Sequence, residues 1–218
     1  MAFLFALAAQ AQTNFTYSSG TVTTLIPDGN PVGISKSTTL AGLSGSITNV
    51  SVNLNITGGF NGDLYAYLAG PAGQLSVLLN RVGVTNGSSF GYTDAGFNIT
   101  LDGSGSNIHG YQNGGVGTYT LSSGQLTGTW GADGRNIDPL STPTSLFDSA
   151  STAANLSVFN NTDPNGLWTL YLADLSGGGQ STLVSWGLTI STVPEPQTWA
   201  MLAGGMGMLF VFRRRASH

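Results

Sequence analysis

The sequence predicts an all-β fold, an antiparallel β-sandwich that is followed by a C-terminal hydrophobic helix. Apolar and polar residues alternate along Ile47–Thr57 and again along Val184–Ser191, which is typical of half-buried antiparallel strands. No stretch before Val193 shows the 3.6-residue apolar spacing of a helix, and 32 glycines supply turns between short strands. Charged residues make up only 7% of the chain, so Ser, Thr and Asn must cover most of its surface.

The N-terminal run Phe3–Ala9 is apolar and leads into Ala9-Gln10-Ala11, a small-x-small pattern typical of signal-peptide cleavage sites. We therefore predict a signal peptide over residues 1–11 and a mature protein that begins at Gln12. The positively charged segment that usually opens a signal peptide is missing from this run. Either the true start lies upstream, so that the signal peptide is truncated here, or the run forms the first strand of the domain.

The strands of the sandwich are predicted from their inward-facing apolar residues. In the two alternating segments these residues are Val50, Val52, Leu54 and Ile56, then Val184, Trp186, Leu188 and Ile190. Short apolar runs between turn-forming residues predict five further strands, at Leu64–Leu68, Leu75–Leu79, Phe97–Leu101, Leu156–Phe159 and Trp168–Ala173. The glycine-rich stretch Gly103–Asp138 is interpreted as a long connection, functional or loosely ordered, with one hairpin around Thr118–Trp130.

Two segments of the predicted sandwich resemble a known family. The run ITNVSVNLNITGGFNGDLYAYLAGPAGQLSVLL and the later run NGLWTLYLADLSGGGQSTLVSWGLTI are similar to the P domain of proprotein convertases, also called P/Homo B. The resemblance covers roughly Thr39 to Ser191 and implies a jelly-roll-like β-sandwich, here assigned to residues 12–192. Trp168 and Trp186 would lie in its core, on facing or adjacent strands, because each indole buries on the order of 200 Å².

The C-terminal segment, residues 193–218, resembles the bacterial PEP-CTERM sorting signal. Pro194-Glu195-Pro196 precedes fourteen uncharged residues, which would span roughly 21 Å as a helix, and Arg213, Arg214 and Arg215 end the segment. The arginines favour the cytoplasmic side of a membrane, which places the preceding domain outside. The resemblance implies recognition of Pro-Glu-Pro and removal of the tail by an exosortase. It also implies export, a transient stay in the inner membrane, and delivery to the cell surface or exopolysaccharide matrix of a Gram-negative bacterium.

Four aspartates are candidate ligands for calcium, the only cofactor that the sequence suggests. Asp63 follows Gly62 in the Gly-Asp-Leu turn, and Asp174 ends the run Leu170–Ala173. Asp133 and Asp138 lie in an oxygen-rich loop. Carboxylate oxygens suit a hard cation, but they also accept hydrogen bonds from backbone N–H groups in turns. The sequence leaves both roles open for each residue.

Charge and residue types exclude several function classes. Before Val193 the chain carries three basic and nine acidic residues, a net charge of −6, so nucleic acid is not an expected partner. Cysteine is absent, which excludes disulfides and thiol catalysis. His109 is the only histidine before the tail and is interpreted as a solvated loop residue rather than a catalytic base. We therefore predict a protein that is not an enzyme.

Three functions follow from these observations. The first is an exported, non-catalytic binding or structural domain sorted by an exosortase. The second is a carbohydrate-binding module, in which Tyr65, Tyr67, Tyr111 and Tyr119 would stack on sugar rings. The third is an accessory P domain that stabilises a separately encoded subtilisin-like protease, as the convertase resemblance implies.

Overall fold

The chain folds into two β-sheets that pack face to face. The computed structural model describes residues 12–113 and 118–193, so the predicted signal peptide and sorting helix lie outside the described residues. The β-sandwich predicted from the sequence is confirmed. The strands in chain order are β1 (Thr13–Ser18), β2 (Thr24–Ile26), β3 (Asn30–Leu40), β4 (Ser46–Gly58), β5 (Leu64–Ala69), β6 (Leu75–Asn80), β7 (Gly96–Asn107), β8 (Leu121–Ser122), β9 (Gln125–Gly131), β10 (Gly166–Asp174) and β11 (Ser181–Val193).

The larger sheet has the strand order β1-β11-β4-β7-β9-β8, and β2 also pairs with β11. The smaller sheet has the order β3-β10-β5-β6. The first and last strands of the domain therefore lie side by side, because β1 pairs with β11 along its whole length. Among the described residues, helical structure consists of four 3-10 turns, at Asn61–Asp63, Ile108–Gly110, Thr144–Leu146 and Leu156–Phe159.

The core lies between the inner faces of the two sheets. On β4 the four predicted core residues are buried, and Leu188 and Ile190 of β11 are buried with them. Trp168 of β10 is completely buried, packs on Phe159 at a ring-centroid distance of 4.9 Å and donates its Nε1–H to the Pro164 carbonyl oxygen. Trp186 of β11 and Trp130 of β9 are also buried, so the larger sheet contributes two indoles to the interior and the smaller sheet one.

Two details of the predicted strands are wrong. Leu156–Phe159 forms a 3-10 turn rather than a strand, and the Asn155 side chain caps it by accepting from the Ser157 N–H. Its two buried residues, Leu156 and Phe159, are three positions apart, which fits the 3-10 repeat. On β11 the register shifts between Leu183 and Ser185, so Leu183 takes the core position that alternation had assigned to Val184.

The glycine-rich middle of the chain contains more sheet than predicted. β7 continues to Asn107, five residues into the predicted connection, whereas β8 and β9 form the expected hairpin. β9 pairs parallel to β7, and this parallel pair is a departure from the antiparallel pattern that the sequence predicted. A parallel pair cannot be joined by a tight turn, and β8 lies between β7 and β9 in the chain.

Candidate functional site

The four predicted aspartates lie in three different environments. Asp63 and Asp174 share one end of the smaller sheet, because the antiparallel register of β5 and β10 places Asp174 opposite Leu64. Asp133 is buried next to β6, where its N–H donates to the Leu78 carbonyl oxygen. Asp138 lies on a fully exposed turn. The structure therefore brings together only the first two of the four.

The Asp63–Asp174 pair is buried and short of partners. Asp174 is 0% exposed; its Oδ2 accepts a hydrogen bond from the Ser181 hydroxyl at 3.1 Å, whereas its Oδ1 has no hydrogen-bond partner. Burial is the main cause that raises the pKa of Asp174 to about 6; the Ser181 hydroxyl opposes it, and the charges of Asp63 and Asp28 act in the same direction as burial. Burial also raises the pKa of Asp63, although the nearby Arg81 charge and the Ser176 hydroxyl lower it in part. Both carboxyl groups thus resist ionisation in this environment.

A cleft opens beside this pair. It has a volume of about 420 Å³ and is lined by Phe60, Asp63, Phe90, Thr93, Ser176 and Gly177. At the rim of the cleft, the backbone of Phe90 lies close to the backbone of Gly62. A Cβ at Gly62 would lie 2.1 Å from the Phe90 carbonyl oxygen. The cleft combines exposed phenyl groups with one carboxylate, and it leads from solvent to Asp63.

Asp133 lies at the centre of a cluster in which every carboxylate oxygen has partners. Its Oδ2 lies 2.7 Å from His109 Nδ1 and accepts from the Asn80 N–H, while its Oδ1 accepts from the Arg135 guanidinium at 3.0 Å. His109 Nε2 lies 2.8 Å from the Val84 carbonyl oxygen. A carbonyl oxygen only accepts, so Nε2 is the donor in this contact, while Nδ1 faces the Asp133 carboxylate. The oxygens of Asp133 are therefore engaged in structural contacts.

The prediction that His109 is a solvated loop residue is wrong. The side chain is buried, and its ring stacks on Phe147 at a centroid distance of 5.9 Å. Asn107 holds the 3-10 turn that carries it, by accepting from the His109 N–H at 2.9 Å. The sequence signal for the burial of His109 is its position directly after β7. The prediction missed this signal because it ended β7 at Leu101.

Asp138 caps its own turn. Its carboxylate accepts from the Leu140 and Ser141 N–H groups and from the Ser141 hydroxyl. These hydrogen bonds, that of the Ser141 hydroxyl first, lower the pKa of Asp138. This is the geometry of turn capping, one of the two roles that the sequence left open for this residue.

The predicted sugar-stacking tyrosines separate into two groups. Tyr65 and Tyr67 alternate with the buried residues of β5 and lie on the outer face of the smaller sheet. Tyr171 of β10, which the sequence analysis did not single out, stacks on Tyr67 at 4.7 Å with an interplanar angle of 15°. Tyr111 is instead completely buried, and Tyr119 packs edge-on against it. Tyr171 could have been recognised as a neighbour of Tyr67 only with knowledge of the register of β5 against β10, in which the two residues pair.

Two features are absent from residues 12–113 and 118–193. No group of three or more His, Cys, Asp or Glu side chains in this part is arranged to hold a metal ion. In the same residues, no helix has the length and apolar character needed to cross a membrane.

Comparison with known protein families identifies the segment that follows the last strand. Residues 192–216 match the model of the PEP-CTERM protein-sorting motif, so the chain carries the sorting signal that the sequence predicted. The match begins one residue before the end of β11. The motif implies processing by an exosortase, with export and a stage at the membrane before sorting to the cell surface.

Comparison with solved structures gives two similar chains, both from Aeromonas sobria. One is the crystal structure of its serine protease, with 17% identity and a TM-score of 0.46 over 87% of this chain and 28% of that chain. The other is the complex of that protease with the chaperone ORF2, with 17% identity and a TM-score of 0.47 over 88% and 28%. The chain thus spans little more than a quarter of the length of the structures it matches. No curated protein matches the chain.

Proposed function

We propose that this protein is an exported, non-catalytic domain that an exosortase sorts to the cell surface or the exopolysaccharide matrix. The sorting motif at residues 192–216 is the observation that carries the proposal. Because the motif overlaps the end of β11, which is paired with both β1 and β4, processing just beyond this strand would leave the sandwich intact. The delivered cargo is then the sandwich itself.

The non-catalytic part of the proposal is supported by the role of His109. Its two ring nitrogens are occupied by the Asp133 carboxylate and the Val84 carbonyl oxygen, and the side chain is closed off from solvent. A general base must reach the proton that it removes. We therefore assign His109 a structural role in the described domain, with Asp133 as its hydrogen-bond partner rather than the orienting carboxylate of a triad.

The sorting proposal is tested in a bacterium that produces the protein. We expect the R213Q/R214Q/R215Q variant to lose correct sorting, because the cationic cluster fixes the orientation of the segment in the membrane. Mass spectrometry of membrane, surface and medium fractions should find wild-type protein ending near Pro194 and variant protein retaining the tail. Lys36→Gln, a charge change within the domain, serves as the control. Equal processing of the triple variant would contradict the proposal, as would turnover of peptides or glycosides by the purified protein.

The carbohydrate-binding alternative is favoured by one specific observation, the cluster of Tyr65, Tyr67 and Tyr171. Their ring centroids lie 4.7 to 6.3 Å apart on the outer face of the smaller sheet. Ser37 and Thr169, whose hydroxyl oxygens are 2.9 Å apart, extend this face with hydroxyl groups. A surface that combines aromatic rings with hydroxyl groups can make both apolar and hydrogen-bonding contacts with a polysaccharide.

This alternative is tested by co-sedimentation of the purified chain with the exopolysaccharide of the producing strain. We expect Tyr67→Ala and Tyr171→Ala to reduce the bound fraction at least tenfold. Tyr17→Ala is the matched control, because Tyr17 is a half-buried tyrosine on the other sheet, packed against Trp186. Melting temperatures of all three variants show whether the fold is retained. Equal losses in all three, or no loss in any, would exclude the tyrosine cluster as the binding face.

A further inference from the structure

Negative charge accumulates around the loop that connects β10 to β11. Asp63, Asp174 and Asp28 reach this loop from three separate segments, and the Asp28 carboxylate accepts from the Gly178 N–H at 3.2 Å. Asp63 and Asp28 lie close enough to Asp174 that their charges raise its pKa. Within the part of the chain that the structure describes, the salt bridges involve Asp133 alone, so none neutralises these three residues.

The nearest cation does not balance this charge directly. The Arg81 guanidinium donates from Nε to the Gly62 carbonyl oxygen at 3.3 Å and from its terminal nitrogen to the Ser89 carbonyl oxygen at 3.2 Å. It lowers the pKa of Asp63 through its charge, but the burial of Asp63 outweighs this effect. The Arg81 guanidinium thus donates its hydrogen bonds to backbone carbonyl oxygens.

The unpartnered oxygen of Asp174 is the second, independent observation. Asp174 is completely buried, and its Oδ1 has no hydrogen-bond partner. A buried polar atom without a partner is costly and is rare in folded proteins. Three species can satisfy this oxygen: an ordered water, a proton on the carboxyl group or a bound cation.

The available ligands suit a hard cation. The surroundings offer carboxylate, hydroxyl and carbonyl oxygens, and the adjacent cleft of about 420 Å³ gives solvent access to Asp63. Calcium binds six to eight oxygens in flexible geometry and takes waters and carbonyl oxygens alongside carboxylates, so it does not need three acidic side chains. Zinc prefers nitrogen and sulfur ligands, yet the chain has no cysteine and its only described histidine is engaged by Asp133.

We propose that Asp63 and Asp174 form one shared calcium site, which is reached through the cleft between Phe60 and Phe90. The sequence treats the two aspartates as separate candidates 111 positions apart, whereas the pairing of β5 with β10 makes them neighbours. Asp28 contributes negative charge to the site. Calcium would then hold the loop between β10 and β11 against the start of β5. This inference is independent of the sorting proposal.

The test is thermal unfolding and isothermal titration of the purified full chain at pH 7.5, with calcium, magnesium or EGTA. At calcium concentrations about a hundredfold above Kd, the melting temperature should rise by roughly 5–10 °C relative to EGTA. Asp174→Asn should lose most of this shift, whereas Asp148→Asn, on an exposed residue elsewhere, should retain it. Asp63→Asn provides an independent reading of the site if Asp174→Asn does not fold.

Two results would overturn the proposal. The first is wild-type protein that shows neither heat nor a melting shift at millimolar calcium, which would leave a proton or a water as the species that satisfies Asp174. The second is a calcium shift of equal size in wild type, Asp174→Asn and Asp63→Asn, which would place the ion elsewhere. A fall in calcium affinity from pH 7.5 to pH 5 would support the proposal, because protons compete for the same oxygens.

Discussion

The two buried carboxylate regions of this domain differ in how their charge is neutralised. Both Asp133 and Asp174 are 0% exposed. Asp133 forms an ion pair with Arg135 and a hydrogen bond with the His109 ring, whereas Asp174 accepts from the Ser181 hydroxyl and keeps one oxygen, Oδ1, without a hydrogen-bond partner. Burial alone therefore does not define the role of an aspartate. Both oxygens of Asp133 are engaged within a structural cluster, whereas one oxygen of Asp174 still lacks a partner.

The difference reflects how few cations the domain contains. Lys36, Arg81 and Arg135 are the only lysine and arginine residues before Val193. Arg135 is tied to its aspartate by proximity, since the two are only two positions apart and its Nε also donates to the Phe147 carbonyl oxygen at 2.8 Å. No equivalent residue lies near Asp174 in the sequence. A domain so poor in basic residues can neutralise only some of its buried acids internally.

The largest expected effect comes from removing the charge of Asp133. Asp133→Asn leaves the Arg135 guanidinium without its counter-ion and replaces one of the two oxygens that face Arg135 and His109 with an NH2 group, which cannot accept. Breaking one partner of a buried ion pair typically costs about 3–5 kcal/mol. We expect a loss of this size in the free energy of unfolding, measured by urea denaturation at pH 7. Asp148→Asn is the control, and equal stabilities of the two variants would show that the cluster is not a stabilising unit.

The next effect is a dependence of stability on pH that originates at Asp174. Because its folded pKa is about 6, above the ordinary aspartate value of 3.8, the folded state holds this proton more tightly than the unfolded state. In EGTA, the free energy of unfolding should therefore fall as pH rises from about 4 to about 6, by about 1–3 kcal/mol. Asp174→Asn should flatten this part of the profile. An identical decline in the variant would assign the dependence to other groups.

Much of the sandwich could be predicted because its strands alternate. β4, β5, β6 and β10 were placed within one or two residues of their observed ends, since most of their buried residues are apolar and their turns contain glycine or proline. β1 and β3 were missed because they lie at sheet edges and bury little, as the sequence NPVGISKSTTL of β3 shows. Alternation reports burial, so exposed edge strands give no signal.

The candidate site was only partly predictable for a related reason. The sequence singled out Asp63 and Asp174 as residues but not as neighbours, because their proximity depends on the register of β5 against β10. It also missed the Asp133–His109 contact, which depends on β7 extending to Asn107 and on the turn that follows. Residue types thus identified the candidate site residues, whereas strand pairing determined which of their side chains lie close together.

The smallest expected effect is at Asp138, which provides the exposed counterpart of both buried regions. Hydrogen bonds from the Ser141 hydroxyl and the Leu140 N–H lower its pKa, so its contribution to stability is present above its unfolded pKa and is lost as pH falls through the folded value. This sign is opposite to that of Asp174. Asp138→Asn keeps an oxygen that can accept from Leu140, so at pH 7 we expect a much smaller change than for Asp133→Asn. A loss as large as that of Asp133→Asn, measured by the same urea titration, would mean that partners rather than burial determine what an aspartate contributes here.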